Sequence, residues 1–185
     1  MTSWQPDPLR QRLGRYTIQD VWELPDEAPR VELRDGAISV VPLPTPAHQN
    51  TAALIAMWLR HHAPPGLDAT FGMDLMIDSV NTYVPDATVH RADVARDRRY
   101  RRPDEVLIAI EVVSPATRRR DRFERPGGFA AAGIPHYWRV EQDPVHVYAY
   151  RLGADDHYAL AADSARLLEL DEPFEIRLPI ALITP

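Results

Sequence analysis

The sequence predicts a single domain of mixed α/β (α+β) class, with a mostly antiparallel sheet flanked by helices. Segments in which apolar residues recur at helical spacing alternate along the chain with short β-prone runs. The β-prone runs near the end of the chain follow one another across short turns, as they do in antiparallel sheets. A length of 185 residues is enough to enclose one core.

The first elements are predicted from capping and turn residues. Residues 1–15 are polar, contain two prolines and are expected to form a flexible N-terminal arm, so that the domain covers residues 16–185. A short helix follows, because Thr17 can cap it, Asp20 occupies its third position and Pro25 ends it.

A hairpin and a longer helix come next. RVELRDGAISVVP places two β-prone runs around Asp35-Gly36, the best local hairpin signal in the chain. Thr45 is the expected N-cap of the second helix, with Pro46 at its first position. The spacing of the apolar residues in this helix predicts a face toward the core, made of Ala52, Ile55, Ala56 and Leu59.

Three strands are predicted in the middle of the chain. FGMDLMID, residues 71–78, alternates apolar and polar residues as a half-buried strand does. YVPDATVH, residues 83–90, reads as a second strand that Pro85 restricts to an edge or a bulge. VLIAIEVV, residues 106–113, is apolar except for Glu111, which predicts a strand buried on both faces.

The last third of the chain predicts one helix and four strands. RRRDRFERPGGFAAAGIP should form a helix that ends near Gly133, and Pro126-Gly127-Gly128 is expected to interrupt it. HYWRVE and VHVYAYRL are expected to pair as antiparallel strands. Residues 153–185 should form a last hairpin from HYALAA and LLELDEPFEIRL.

Composition limits the classes of function. The formal net charge of −6 argues against a protein that coats nucleic acid non-specifically, although the 21 basic residues, all arginines, cluster in residues 91–102 and 118–125. No cysteine is available for disulfides or thiolate metal sites. No apolar run approaches the roughly 18 residues of a membrane span, and the N-terminus lacks a signal-peptide core. We therefore expect a cytoplasmic protein with no membrane contact.

Three acidic residues are candidates for one site. An unpaired carboxylate such as Glu111 costs several kcal/mol to bury. If its strand pairs with the strand that follows Asp86, the two carboxylates approach each other and cannot both ionise in a dry site without a cation. Oxygen ligands in a chain without cysteine favour Mg²⁺ or Mn²⁺. Glu32, in the first hairpin strand, is the third candidate.

The order of the motifs resembles the Uma2 family of bacterial proteins, which belongs to the PD-(D/E)xK, restriction-endonuclease-like superfamily. A Pro-Asp pair is followed about 25 residues later by IEVVSP, and then by an arginine-rich helix and AAAGIPHYWRV. The resemblance covers roughly residues 16–150. It implies a restriction-endonuclease-like core in which Glu32, Asp86 and Glu111 hold a divalent metal that activates water for attack on a phosphodiester. It also implies a homodimer.

One position departs from the superfamily pattern. A lysine normally stands two residues after the glutamate, where this chain has Val113. The Uma2 pattern moves the lysine to the following helix, and the corresponding residue here is Arg125. Arginine can stabilise negative charge but cannot act as a general base, because its pKa exceeds about 12. The missing lysine therefore points to impaired catalysis.

Each candidate also has a purely structural interpretation. Glu111 could be neutralised by a buried arginine, Asp86 could be a turn residue after proline, and Glu32 could face solvent or an arginine. His48 could donate to a phosphate or a metal-bound water, or could be an ordinary surface histidine. The arginines of the loop before the last helix could grip phosphates or only pair with nearby acids; these are Arg118, Arg119 and Arg120.

The leading interpretation is a Mg²⁺- or Mn²⁺-dependent endonuclease-like phosphodiesterase that acts on DNA. Asp86 and Glu111 are its main ligands, Glu32 is an accessory ligand, and Arg125 replaces the motif lysine. The alternative is a catalytically inactive nuclease fold that serves as a binding or dimeric interaction module. A third interpretation is a metal-dependent hydrolase of a small phosphoester.

Overall fold

The computed structural model of the chain describes residues 4–95, 97–115 and 118–185. Four α-helices lie within these ranges: α1 (Pro8–Arg12), α2 (Ile18–Trp22), α3 (Pro46–His62) and α4 (Arg125–Ala131). The strands of the same ranges are β1 (Val31–Arg34), β2 (Ala37–Val40), β3 (Leu67–Phe71), β4 (Asp74–Met76), β5 (Thr82–Tyr83), β6 (Ala87–Arg91), β7 (Tyr100–Arg101), β8 (Val106–Val112), β9 (His136–Gln142), β10 (Val145–Leu152), β11 (Tyr158–Ser164), β12 (Leu167–Leu170) and β13 (Ile176–Pro179).

A six-stranded sheet forms the centre of the molecule, in the order β11-β10-β9-β8-β6-β3. Only the β8–β9 pair is parallel, because the chain crosses over through α4 between these two strands. The mostly antiparallel α+β architecture predicted from the sequence is thereby confirmed. Strand β8 lies in the middle and is buried on both faces, with Ile108 and Ile110 fully enclosed.

Helix α3 covers one face of this sheet. Thr45 caps it by accepting a hydrogen bond from the His48 backbone N–H at 3.3 Å, and Pro46 occupies the first position, as predicted. The expected apolar face of the helix is buried in the main core, together with the hairpin β12–β13. Helix α4 and the small sheet β5-β4-β7 cover the opposite face, around Phe129 and Tyr137.

The expectation that Pro126-Gly127-Gly128 interrupts the last helix is wrong. A π-helical turn, Arg120–Glu124, leads directly into α4, and the Arg125 N–H bonds to the carbonyl of Arg120. Pro126 follows this turn at the second position of α4, and the helix continues through it although proline has no N–H to donate. The helix therefore holds Arg125 in a defined place.

The two glycines of α4 have different neighbours, and this predicts opposite effects of alanine. A Cβ on Gly128 would lie 2.4 Å from the Tyr83 hydroxyl, whereas a Cβ on Gly127 would meet nothing within 4 Å. We expect Gly128→Ala to destabilise the protein by about 1–3 kcal/mol through overpacking. Gly127→Ala, the matched control, should stabilise it by about 0.5–1 kcal/mol through helix propensity. Urea unfolding measures both changes, and equal effects would contradict the assigned packing.

Three strand predictions need correction. The expected strand 83–90 is divided at residues 84–86, so that β5 belongs to the small sheet and β6 lies inside the central sheet, not at its edge. Gly72, with a φ of +61°, divides the expected strand 71–78, so that β3 ends in the central sheet and β4 begins in the small one. HYALAA does not pair within a last hairpin, because β11 pairs with β10 along the edge of the central sheet. The last hairpin is β12–β13, in which Leu168 faces Leu178.

The N-terminal segment is attached to the first hairpin from residue 7 onward. Asp7 caps α1, and the Gln11 amide exchanges two hydrogen bonds with the backbone of Ile38, of 2.6 and 2.8 Å. The predicted N-cap of α2 is confirmed, since Asp20 accepts from the Thr17 backbone N–H at 2.8 Å. Among the described residues no helix is both long and apolar enough to cross a membrane.

Candidate active site

Glu111 occupies the central strand β8 and is 1% exposed. Burial raises the pKa of its carboxyl well above the ordinary value; the charge of Arg125 opposes this shift, and the charge of Asp86 adds to it. Its Oε1 lies 3.2 Å from Arg125 Nε, an ion-pair contact without hydrogen-bond geometry. Glu111 is thus a buried acceptor whose Oε1 already faces a cation.

Asp86 lies immediately before β6, which pairs with β8 as the sequence predicted. The register Ala87↔Ile110 brings Asp86 next to Glu111 on the neighbouring strand. Its Oδ2 accepts the Val112 backbone N–H at 2.7 Å and lies 3.2 Å from His48 Nε2. Its side chain is 22% exposed, so the Asp86 carboxylate lies between the buried Glu111 and solvent.

His48 reaches Asp86 from the first turn of α3. Burial lowers the pKa of this histidine, but the hydrogen bond and the charge of Asp86 outweigh it, and the net shift is upward. The imidazole is itself buried. Its contact with Asp86 places it beside the acids; a role in binding a phosphate or a metal-bound water stays a prediction.

Glu32 projects from β1 into the same interior space. Its Oε1 accepts the Val84 backbone N–H at 2.8 Å and an ion-paired hydrogen bond from Arg125 Nη2. Its Oε2 lies 3.7 Å from Arg120 Nη1. Both carboxylate oxygens of Glu32 are therefore already engaged by groups of the chain.

Arg125 joins the two glutamates. It is 2% exposed, pairs with Glu32 and places its Nε 3.2 Å from Glu111 Oε1. The guanidinium also stacks on Tyr83, with 4.4 Å between Cζ and the ring centroid. Burial lowers the pKa of Arg125, but the charges of Glu111 and Glu32 raise it by more, so the net shift is upward.

The structure adds one acid that the sequence interpretation did not single out. Asp121 is buried, accepts from Arg120 Nε at 3.1 Å, and accepts the Tyr137 hydroxyl at its backbone carbonyl at 2.6 Å. Its charge contributes to the raised pKa of Glu111. The sequence signal for Asp121 is its position as a lone acid inside the arginine run RRRDRFER.

The predicted candidates separate into two sets. The described structure brings together the acids, two of the arginines and the histidine, namely Glu32, Asp86, Glu111, Arg120, Arg125 and His48. Arg118 and Arg119 are exposed instead, and Arg119 approaches only Glu124, at 3.8 Å. A role for these two in phosphate binding stays a prediction.

The donor set fits a divalent cation at Asp86 and Glu111. Within the described ranges no three acidic or histidine side chains surround one point in a ready-made cage. Glu111 nevertheless offers a buried oxygen that Arg125 contacts without hydrogen-bond geometry, and Asp86 offers a carboxylate at the solvent side of the same pair. Hard cations prefer such oxygen ligands.

Comparisons with known proteins identify a family and a fold. A family model named Uma2, with the description "Putative restriction endonuclease", matches residues 18–181. A crystal structure from Anabaena variabilis, of "a putative nuclease belonging to DUF820", superposes with a TM-score of 0.68 and 18% identity, over 91% of this chain and 97% of that one. None of the curated proteins compared with the chain matches it.

The fold is therefore a nuclease-type α+β fold with a buried acidic and arginine cluster at its centre. Because the family model covers most of its length, the chain belongs to the Uma2 family. This confirms the resemblance read from the motif order.

Proposed function

We propose that the protein is a Mg²⁺- or Mn²⁺-dependent phosphodiesterase that cleaves DNA, with Asp86 and Glu111 as the metal ligands. The observation that carries the proposal is the juxtaposition of these two carboxylates on neighbouring strands, one of them buried in the central strand beside Arg125. The family description supports a nuclease activity. The cytoplasmic homodimer expected from the sequence is part of the same proposal.

A divalent cation at this pair would supply Lewis-acid chemistry to phosphodiester hydrolysis. The chain's own residues orient the ligands. The Val112 N–H and His48 hold Asp86, which stands at the solvent side of the site, while Arg125 holds Glu111 within β8. Preorganised ligands of this kind avoid reorganisation during the reaction.

Glu32 acts in this proposal mainly as the anchor of Arg125. An accessory contact to the cation, as expected from the sequence, requires Glu32 to give up one of its present partners, because both oxygens are engaged. Arg125 supplies a permanent positive charge next to the carboxylates where the family pattern has lysine. It stabilises negative charge but transfers no proton.

One observation favours the alternative, an inactive nuclease fold that binds without cleaving. The Arg125 guanidinium is enclosed between Glu32, Glu111 and the Tyr83 ring. A group held in this way cannot swing out to a phosphate unless it breaks two ion pairs. The two functions differ in one measurable property, the cleavage of a phosphodiester.

Metal binding tests the site directly. We expect titration of Mn²⁺ into the wild-type protein to give a saturable heat, and Asp86→Ala to abolish it, because one of the two ligands is lost. Asp104→Ala, an acid on the exposed surface, is the matched control and should bind as the wild type does. Equally negligible heats in the wild type and Asp86→Ala would refute the proposed site.

Incubation of supercoiled plasmid with the protein and Mn²⁺ then separates the two functions. Nicking that is absent in Asp86→Ala supports the phosphodiesterase. A mobility shift without nicking in the wild type supports the inactive binding module and contradicts the leading proposal.

A further inference from the structure

A second buried arginine lies outside the cluster of acids. Arg101, on β7, is 5% exposed, and its Nε and Nη1 are enclosed without hydrogen-bond partners. It forms no ion pair with any residue that the structure describes. The two buried arginines thus differ, because Arg125 contacts two carboxylates and Arg101 contacts none.

The acids nearest to Arg101 are already occupied. Glu105 pairs with Arg98 and lies 3.5 Å from Arg102 Nη2, and Asp68 pairs with Arg60 at 3.1 Å. Burial lowers the pKa of Arg101, and the neighbouring Arg98 lowers it further, against the weaker effects of these acids. Arginine nevertheless keeps its proton near neutral pH, so a positive charge remains enclosed without a counter-charge.

His90, on β6, adds a second unsatisfied group. It is buried, its Nδ1 lies 2.9 Å from the Arg91 carbonyl, and its Nε2 has no partner among the described residues. Val106, the register partner of His90, belongs to one buried cluster with Leu75, the register partner of Arg101, so both residues flank this cluster. Burial lowers the pKa of His90, and the charge of Arg101 adds to this shift. Two buried polar groups without partners are costly together unless an external group satisfies them.

We infer that Arg101 and His90 form a binding site for a phosphate-type oxyanion. Such an anion neutralises the guanidinium and accepts charge-assisted hydrogen bonds from it. Arg98 and Arg102 already contact Glu105, so this buried carboxylate is not free to pair with Arg101. Water could satisfy the N–H groups but could not balance the charge.

The same oxyanion could come from free phosphate or from a nucleic-acid backbone. His90 stands four residues after Asp86, about 13 Å along the strand, a distance that a single nucleic-acid strand can span. A backbone phosphate held there would position DNA relative to the carboxylate pair. Only this choice of source rests on the proposed function; the anion site itself does not.

Binding of inorganic phosphate tests the site without any metal or cleavage. In EDTA and at constant ionic strength, we expect the wild type to bind phosphate in equilibrium dialysis and to gain thermal stability from it. Arg101→Gln should weaken this binding about tenfold or more. Arg99→Gln removes an exposed arginine of the same run and should bind as the wild type does.

A second variant tests whether the buried Arg101 lacks a counter-charge in the protein. Because the guanidinium is unpaired, Arg101→Met should be at least as stable as the wild type without phosphate, and should gain nothing when phosphate is added. An arginine with a purely structural role would instead leave Arg101→Met less stable in both conditions. That outcome, or phosphate stabilisation that is equal in the wild type and Arg101→Met, would overturn the inference. So would a lack of phosphate binding to the wild type.

Binding of a DNA oligonucleotide in EDTA identifies the source of the phosphate. Weaker binding by Arg101→Gln than by Arg99→Gln, with a salt dependence reduced by about one phosphate contact, supports the nucleic-acid backbone. Unchanged DNA binding together with lost phosphate binding supports a free oxyanion at the same site. Neither result depends on metal binding at Asp86, so the two proposals fail independently.

Discussion

Glu111→Gln is expected to abolish Mn²⁺ binding and to reduce cleavage at least about 100-fold, while leaving the protein as stable as the wild type or more stable above pH 7. The amide keeps the shape of the side chain but removes a ligand charge. It also removes the cost of ionising a carboxyl that is 1% exposed. Function and stability should therefore move in opposite directions.

The raised pKa of Glu111 determines the direction in which the stability of the wild type changes with pH. Burial raises the folded-state pKa of Glu111 above 4.5, the ordinary value that applies to the unfolded chain. Between these two pKa values the unfolded state releases the proton and the folded state keeps it. The wild type should thus lose stability as pH rises through this window, and Glu111→Gln should lack that part of the loss.

Urea unfolding at several pH values between about 4.5 and about 8, without metal, measures the difference. Glu124→Gln changes a half-exposed glutamate of the π-helical turn and serves as the control. The free energy of unfolding of this variant should depend on pH as that of the wild type does. A Glu111→Gln variant that is less stable than the wild type across the whole range would show that the charged form of Glu111 stabilises the fold.

Arg125→Met should cost about 3–5 kcal/mol in the free energy of unfolding, because it leaves the Glu32 carboxylate buried without its cation and removes the positive charge beside Glu111. Arg34→Met, the matched control, breaks an exposed pair with Glu124 and should cost at most about 1 kcal/mol. Chemical unfolding at neutral pH measures both changes.

A combined variant checks the reason for this cost. In a background of Glu32→Gln and Glu111→Gln, the same Arg125→Met change should lose most of its effect, since no buried carboxylate is left unpaired. An undiminished cost in that background would assign the role of Arg125 to packing on Tyr83 instead.

Local signals in the sequence were sufficient where a short segment determines its own structure. The caps Thr17 and Thr45, the turn Asp35-Gly36 and the apolar face of α3 were all predicted and confirmed. The prediction failed at Gly72, where the pattern of alternation continued through a left-handed residue. Near neighbours alone do not show such a break.

The prediction that the helix at Arg125 is interrupted failed for a different reason. Proline and two glycines are poor helix formers, and this local propensity predicts an interruption of the helix. The close approach of Gly128 to Tyr83 requires a residue without a side chain, and the π-helical turn accommodates Pro126. Tertiary packing therefore outweighed propensity.

The sequence by itself determined the family, the class of fold and the pairing of Asp86 with Glu111, because these depend on motif order and on strands that follow each other closely. Only the tertiary structure decided the partners of the buried charges. Glu32 and Arg125 are 93 positions apart, and Arg101 lies among carboxylates that other arginines already occupy. The physical reason is that burial and distance set the energy of a charge, and both depend on which remote segments meet.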